Sequence, residues 1–372
     1  MKVLITGANG FLGKNLSAHL RERQDVEVLR FSRGDSISSL EELLLQADFV
    51  FHLAGENRPR NPEDFKTGNT HLTQAVCDGI IATGKKLPVV YTSSSQAELD
   101  NPYGVSKRGA EQALSDLASL HNVPVNIFRL PNVFGKWARP NYNSVVATFC
   151  YNIARDLPIQ INNLDATITL VYVDDVIADF IAVMDNKLSG DPFVVVEPSY
   201  AVTVGELAKQ LTAFRDSRAN LVSETVGTGL TRALYSTYIS YIPPERFTYE
   251  VPKYGDPRGV FVEMLKTPNA GQFSYFTAHP GITRGGHYHH SKTEKFLVIR
   301  GRACFRFRHI ISGEFYELFT AGGKPEIVET VPGWTHDVTN VGDDEMIVML
   351  WANEVFDRKR PDTYTMPVGT EA

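Results

Sequence analysis

Val3-Leu4-Ile5-Thr6-Gly7-Ala8-Asn9-Gly10-Phe11-Leu12-Gly13 runs from a short apolar strand through a glycine turn into residues with helical spacing, Phe11, Leu12, Leu16 and Leu20. A glycine turn in that place lets the main chain approach a pyrophosphate, and the N-terminus of the following helix favours its negative charge. Strand, turn and amphipathic helix in immediate succession predict the opening of a nucleotide-binding α/β domain.

Working outward, residues 1 to about 185 repeat the unit. Val26-Glu27-Val28-Leu29, Phe49-Val50-Phe51-His52-Leu53, Pro88-Val89-Val90-Tyr91 and Val125-Asn126-Ile127-Phe128 read as strands, and Leu40 with Leu43-Leu44 has helical spacing between them. Strands alternating with helices predict right-handed βαβ units and a parallel sheet covered on both faces. Residues 200–243, with Thr203-Val204-Gly205-Glu206-Leu207-Ala208 and Leu211, read as helical and are assigned to this first domain.

The texture changes after about residue 243, where Pro243-Pro244, Pro252, Gly255, Pro257 and Gly259 crowd turn formers together. Beyond them, Lys295-Phe296-Leu297-Val298-Ile299, Ala303-Cys304-Phe305-Arg306-Phe307-Arg308 and Met346-Ile347-Val348-Met349-Leu350-Trp351 are short segments separated by glycine-rich turns, the pattern of an antiparallel barrel or sandwich. A chain of 372 residues fits two domains, and the boundary is placed near residue 245, giving 1–245 and 246–372.

Hydrophobic content of 43% with 22% charged residues is that of a soluble globular protein, and a net charge of -6 offers no electrostatic basis for a nucleic-acid or anionic-membrane partner. No run approaches the roughly 18 apolar residues of a membrane span. Met1-Lys2-Val3-Leu4 reads directly into the first strand, which leaves no room for a signal peptide. Cys77, Cys150 and Cys304 form no metal or disulfide spacing, and a cytoplasmic location is expected.

Tyr103-x-x-x-Lys107 puts a phenol and an ammonium on one helix face, where the charge is expected to lower the tyrosine pKa. Such a tyrosine exchanges the proton of a carbonyl–alcohol pair, and Ser93-Ser94-Ser95 ends a strand just upstream, within reach of the same oxygen. At the end of the second strand, Leu29-Arg30-Phe31-Ser32-Arg33 carries two cations and a hydroxyl but no acid, which favours the 2′-phosphate of NADP.

These residues resemble the extended short-chain dehydrogenase/reductase family. His52-Leu53-Ala54-Gly55, Asn69, Arg129-x-x-Asn132-Val133-Phe134-Gly135 and Val171-Tyr172-Val173-Asp174-Asp175-Val176 add to the match, which spans residues 1 to about 240. The resemblance implies a Rossmann-like fold and a nucleotide-activated sugar as substrate. It implies catalysis by Tyr103, Lys107 and Ser94, and a cofactor site at Gly7, Asn9, Gly10, Phe11, Leu12, Gly13, Arg30, Ser32, Arg33, Leu53 and Ala54, with Tyr103 and Lys107 also touching the cofactor. Asn132, Arg139 and Asn141 are candidate sugar-nucleotide contacts. Sugar dehydratases of this family carry an Asp-Glu pair after the catalytic hydroxyl; Ser95-Gln96 stands here, so a reductase or epimerase fits better.

Gly281, His287-x-His289, Glu294 and Gly301 match the first cupin motif, and Pro332-Gly333-x-x-His336 resembles the second, one residue short. Residues i and i+2 of a strand face the same side, so His287 and His289 both point into the barrel. With Glu294 and His336 they form a ligand set open to zinc, iron, manganese or nickel. One divalent ion, Zn2+, is the expectation. Asp256-Pro257-Arg258-Gly259-Val260-Phe261 resembles a segment of deoxynucleotide-sugar 3,5-epimerases, where the arginine holds the diphosphate, which makes Arg258 a further substrate candidate.

The whole chain, including Arg139-Pro140-Asn141-Tyr142-Asn143-Ser144 and Gly285-Gly286-His287-Tyr288-His289-His290, resembles the bacterial bifunctional enzymes of UDP-N-acetyl-L-fucosamine synthesis, which serve capsule and O-antigen assembly. The resemblance implies C3 epimerisation of a UDP-activated keto-deoxy sugar by the barrel, NADPH reduction at C4 by the first domain, and a homodimer. Two alternatives are a reductase whose barrel only binds or dimerises, and an NADP-binding regulatory protein.

Overall fold

In the computed structural model, β1 (Lys2–Thr6), β2 (Glu27–Phe31), β3 (Phe49–His52), β4 (Val89–Ser94), β5 (Val125–Leu130) and a later strand form one parallel six-stranded sheet. The strands coincide with the apolar runs; β1, β2, β4 and β5 extend one to three residues further at their carboxyl ends, and β3 stops one residue short, at His52. The structure describes residues 1–187, 192–256, 259–262, 264–265, 267, 271–354 and 359–369.

Between the strands lie α1 (Phe11–Arg21), α2 (Ile37–Gln46) and α3 (Glu63–Phe65). A π-helical segment, Lys66–His71, carries α3 into α4 (Leu72–Thr83), and α5 (Pro102–His121) follows. Leu4, Val50, Val89 and Tyr91 point to one face, where Leu40, Leu44, Val76, Ile80 and Leu114 cover them. The other face presents Phe51 and Phe128, whose ring centroids lie 5.9 and 4.8 Å from that of Phe180.

By contact the chain divides into two compact units, Met1–Ser144 with Ile168–Val202, and Val145–Thr167 with Thr203–Ala372. A small sheet of β6 (Asn132–Phe134), β7 (Thr167–Tyr172) and β9 (Ser199–Thr203) accompanies the main one, whose edge is β8 (Phe193–Val194). Helix α6 (Val145–Ile153) belongs to the second unit, and α7 (Val173–Met184), which carries Phe180, to the first.

In the second unit, α8 (Val204–Asn220) starts at a capping box of Thr203 and Glu206, and α9 (Gly229–Ile239) follows. The β elements are β10 (Thr248–Glu250), the hairpin β11 (Lys253–Asp256) with β12 (Gly259–Val262), β13 (Gln272–Ala278), β14 (Thr283–Tyr288), β15 (Glu294–Arg300), β16 (Arg302–His309), β17 (Phe315–Ala321), β18 (Glu326–Glu329), β19 (Trp334–Asn340), β20 (Met346–Ala352) and β21 (Tyr364–Thr365). They form two five-stranded sheets, β10-β18-β15-β20-β13 and β17-β16-β19-β14-β21, the expected all-β cupin barrel. Phe247, Phe296, Phe305, Phe307, Val338 and Trp351 fill its core.

Alternation along β15 sends neighbouring residues to opposite faces. Glu294 turns inward, while Lys295 meets Glu329 in a buried ion pair and donates to the Tyr249 hydroxyl at 2.9 Å. Arg218 of α8 completes this cluster 3.5 Å from Glu329 and 4.4 Å from the Tyr249 ring centre. That charge cluster, with the aromatic residues Tyr235 and Tyr238, explains why residues 203–243 group with the barrel by contact.

Candidate functional site

The sheet order β2-β1-β3 puts the chain's change of direction between β1 and β3, and ligands of such sheets bind outside the carboxyl ends at that point. Gly7 N–H donates to the Phe31 carbonyl at 2.8 Å, which folds the turn back over β2, and Leu53 N–H donates to Thr6 O at 3.2 Å. Gly10 caps α1 without any side-chain hydrogen bond, so the helix's first N–H groups face the crevice. A Cβ at residue 13 would stand 2.3 Å from the Gly7 carbonyl oxygen. Only glycine allows that approach, and the resulting cradle fits a dinucleotide pyrophosphate. Asn9 lies in the same turn, Phe11 and Leu12 open α1, and the main chain of Leu53 and Ala54 passes close against Gly7.

Arg30 is exposed at the end of β2, and exposed Arg33 pairs with Glu56 at 2.6 Å. Ser32 N–H donates to Asp35 Oδ2 at 2.7 Å, so an acid stands two residues beyond the stretch read for cofactor preference.

Asn101 caps α5 by accepting from Gly104 N–H at 2.8 Å, with Pro102 at the first helical turn, and this sets Tyr103 beside the end of β4. The three serines have separate partners. Ser93 donates to Glu111, Ser94 hydrogen-bonds Tyr103, and Ser95 is exposed. Lys107 is buried, with Nζ 2.9 Å from Thr92 O, 3.3 Å from the Tyr91 hydroxyl and 5.9 Å from the Tyr103 ring centre. Burial lowers its pKa to about 8, against the opposing charge of Glu111.

One expectation needs correcting. Burial raises the Tyr103 pKa above its ordinary value, and the hydrogen bond from Ser94, rather than the Lys107 charge, opposes the shift. The phenol is therefore protonated at neutral pH, the state a general acid requires.

Behind this surface runs a buried polar chain that sequence reading only touched. Thr6 Oγ1 lies 2.7 Å from His52 Nδ1, and His52 Nε2 lies 2.8 Å from Thr73 Oγ1. Thr73 donates to Asn69 O, and Asn69 donates to Ser106 Oγ. It ties the glycine turn to α5, and burial, with Lys107 nearby, lowers the His52 pKa to about 3, keeping it neutral. Arg129, quoted above only for its motif, grips Glu111 through two bonds of 3.0 and 2.8 Å. Glu111 itself stands at helical spacing from Lys107, a signal that could have found it.

Of the substrate candidates, Asn132 is exposed and donates to Thr169 O at 3.2 Å. Arg139 is exposed over the Tyr142 ring at 5.2 Å, and Asn141 is exposed in a left-handed turn at φ 54°. Arg258 lies outside the described residues.

In the second unit, His287 on β14, His289 just past its end, Glu294 at the start of β15 and His336 on β19 offer ligand atoms all within 4.8 Å of one another. A β-bulge at Gly286, φ 76°, shifts the register so that His287 stands opposite His336; Gly285-Gly286 had been read only as part of a motif. His289 Nε2 and His336 Nε2 lie 3.3 and 3.4 Å from Glu294 Oε2. Burial lowers the His287 pKa to about 3, with His336 and His289 adding to the shift, and burial also lowers that of His336. Burial alone would raise the Glu294 carboxyl, but the two imidazoles hold it well below the ordinary range. Buried acceptors converging on one point suit a divalent cation, and His336 Nε2 has no well-formed hydrogen bond.

Residues 3–196 match the NAD dependent epimerase/dehydratase family and residues 254–364 the polysaccharide biosynthesis C-terminal domain. A UDP-2-acetamido-2,6-beta-L-arabino-hexul-4-ose reductase of Pseudomonas aeruginosa is 64% identical over 372 residues, covering 100% of both chains. The crystal structure of the capsular polysaccharide assembling protein CapF from Staphylococcus aureus superposes with a TM-score of 0.69 at 42% identity, over 99% of this chain and 100% of that one. A UDP-glucuronic acid 4-epimerase from Bacillus cereus in complex with NAD, 19% identical with a TM-score of 0.54 over 65% of this chain and 98% of that one, shares the fold alone. Its glycine turn, its serine–tyrosine–lysine group and these matches together make the chain a member of the NAD dependent epimerase/dehydratase family, joined to a polysaccharide biosynthesis C-terminal domain.

Proposed function

We propose that the chain is a bifunctional nucleotide-sugar enzyme. The barrel inverts C3 of a UDP-2-acetamido-2,6-dideoxy-hexos-4-ulose, and the Rossmann-like domain reduces C4 to give UDP-2-acetamido-2,6-dideoxy-L-talose for a surface polysaccharide. The observation that carries this reading is the end-to-end match to a UDP-keto-sugar reductase by a chain that also brings four ligand groups together in its barrel.

The cofactor is a nicotinamide dinucleotide; NADPH is proposed from Arg30, Ser32 and Arg33. Gly7, Asn9, Gly10, Phe11, Leu12 and Gly13 would hold its phosphates, with Leu53 and Ala54 along the crevice. When bound, it supplies the hydride for C4. Tyr103 gives its proton to the C4 oxygen, Ser94 orients that oxygen, and Lys107 holds the phenol in place and offsets negative charge as it develops. Ser95 and Gln96 supply no acid–base pair, so water is not eliminated. Asn132, Arg139, Asn141 and Arg258 are proposed sugar-nucleotide contacts.

His287, His289, Glu294 and His336 would hold one divalent ion, proposed as Zn2+. When bound, it withdraws charge from the keto sugar and makes the C3 hydrogen more acidic. His289, Glu294 and His336 are buried and His287 is half-buried. Residues 1–245 are proposed to carry reduction and 246–372 epimerisation, in a cytoplasmic homodimer.

Incubating the keto sugar with the protein in heavy water, with and without NADPH, tests both activities at once. Deuterium should enter at C3 without NADPH, and NADPH should then be consumed. The Pseudomonas aeruginosa relative's name mentions reduction only, which favours a second reading, a reductase whose barrel binds or dimerises. NADPH loss without deuterium uptake would establish that reading instead.

A further inference from the structure

The carboxyl-terminal strap of the second unit reaches back to the four converging ligands, and within it Asp362 holds the loop that follows His289. The main-chain carbonyl of Asp362 lies 2.6 Å from His289 Nδ1. Its side chain accepts from three successive main-chain N–H groups, His290 at 2.9 Å, Ser291 at 3.0 Å and Lys292 at 2.7 Å, and from the Ser291 hydroxyl at 3.1 Å. Asp362 has φ 34°, a left-handed conformation uncommon outside glycine, and it turns carbonyl and carboxylate toward the same loop.

We propose that Asp362 is a positioning residue of the metal centre, fixing the ring of His289 through its carbonyl and the loop behind that ring through its carboxylate. The proposal rests on the reading that His287, His289, Glu294 and His336 hold a divalent cation.

The carbonyl oxygen can only accept, so Nδ1 of His289 carries the hydrogen. In the neutral ring Nε2 then presents its lone pair, and that atom faces Glu294 Oε2 at 3.3 Å. The tautomer needed for ligation is therefore selected by a residue 73 positions away in sequence. The three N–H groups form a concave nest filled by the carboxylate, which pins the turn between His289 and Glu294, two of the four ligands.

The strap is anchored at further points. Tyr364 and Thr365 pair with Tyr288 and His287, Met366 N–H donates to Gly286 O at 2.8 Å, and Thr335 donates to Met366 O. Lys292 Nζ also donates to Thr363 Oγ1 at 2.8 Å. The strap thus engages β14 at the bulge that aims His287 and along the two residues that follow it.

The test strips the full-length protein of metal and titrates it with Zn2+ in competition with a chelator, and with Co2+, whose visible spectrum reports ligand geometry. Loss of a group that orients a metal-binding histidine costs about 10- to 100-fold in affinity. Asp362→Asn keeps the shape but loses the charge and one acceptor, and should bind about tenfold more weakly, with an altered Co2+ spectrum. Asp362→Ala should bind about 100-fold more weakly. Wild-type affinity and spectrum in both variants, where the parent binds one equivalent, would overturn the role of Asp362 alone. A parent that binds no ion, and matches His289→Ala in the titration, would overturn the metal reading beneath it. If both metal-free variants lose the near-ultraviolet circular dichroism of the folded parent, Asp362 is a folding element, and the positioning role fails as well.

Discussion

Lys107 donates from Nζ to the carbonyl oxygen of Thr92 at 2.9 Å, on the buried side of α5. That bond fixes the ammonium below Tyr103, and burial lowers its pKa to about 8 while Glu111 opposes the shift. The charged form is complete below that value and lost above it. The kcat/KM for keto-sugar reduction should therefore hold through neutrality and fall as the pH rises through about 8. Glu111→Gln removes the opposing charge, together with one acceptor used by Arg129 or Ser93, so it should move the alkaline limb to lower pH. A pH–rate profile of parent and variant checks this, and an unmoved limb would assign it to another group.

Tyr103→Phe removes the proton donor and leaves the ring, the glycine turn and Lys107 in place. Loss of a positioned general acid should slow reduction by about 10²- to 10⁴-fold. Ser94→Ala removes one hydrogen bond to the phenol and should cost up to about tenfold. Neither change touches the barrel, so deuterium uptake at C3 should be unaltered in both. Stopped-flow NADPH oxidation and mass spectrometry of the sugar measure the two quantities separately, and equal loss of both would contradict the division of labour.

The parts visible in the sequence were those set by local spacing. Val3-Leu4-Ile5 followed by Gly7, Gly10 and Gly13 announced a strand, a turn and a helix, because each signal lies within a few residues of the next. His287, His289, Glu294 and His336 were readable because a known motif records their spacing. What escaped depended on contacts distant in the chain. Asp362 reaches His289, Arg218 reaches Glu329, and Arg129 grips Glu111, and no periodicity joins any of these pairs. The Tyr103 pKa was misjudged for the same reason: spacing showed the lysine, whereas burial, a property of the folded state, decides the direction.

Gly13→Ala tests the cradle directly. Its Cβ would meet the Gly7 carbonyl oxygen at 2.3 Å, whereas a Cβ at Gly10 would meet the same oxygen at 3.0 Å. Main-chain atoms cannot step aside as a flexible side chain does, so α1 must shift away from the turn. Overpacking of this kind costs about 1–3 kcal/mol, and the shift also withdraws helix N–H groups from the pyrophosphate. Cofactor titration by fluorescence should show a much larger loss for Gly13→Ala than for Gly10→Ala. Equal binding by both variants would mean that the cofactor does not use this approach.

Removal of the cation from the barrel should separate the two activities more cleanly than any substitution. His287, His289, Glu294 and His336 are buried or half-buried, and Glu294 stays ionised inside a largely apolar core. Without a cation, that negative charge has only the His289 and His336 imidazoles, 3.3 and 3.4 Å away, to balance it. The stripped protein should therefore lose deuterium exchange at C3 and regain it with Zn2+. Binding to the folded state alone adds about 2.7 kcal/mol at a hundredfold excess over Kd, so the thermal midpoint should also fall on stripping and recover on reloading. NADPH oxidation with a keto sugar already inverted at C3 should persist throughout, since Ser94, Tyr103 and Lys107 belong to the first unit. Exchange that continues in protein shown to be free of metal would leave the cation a structural part and require the barrel's other side chains to acidify C3.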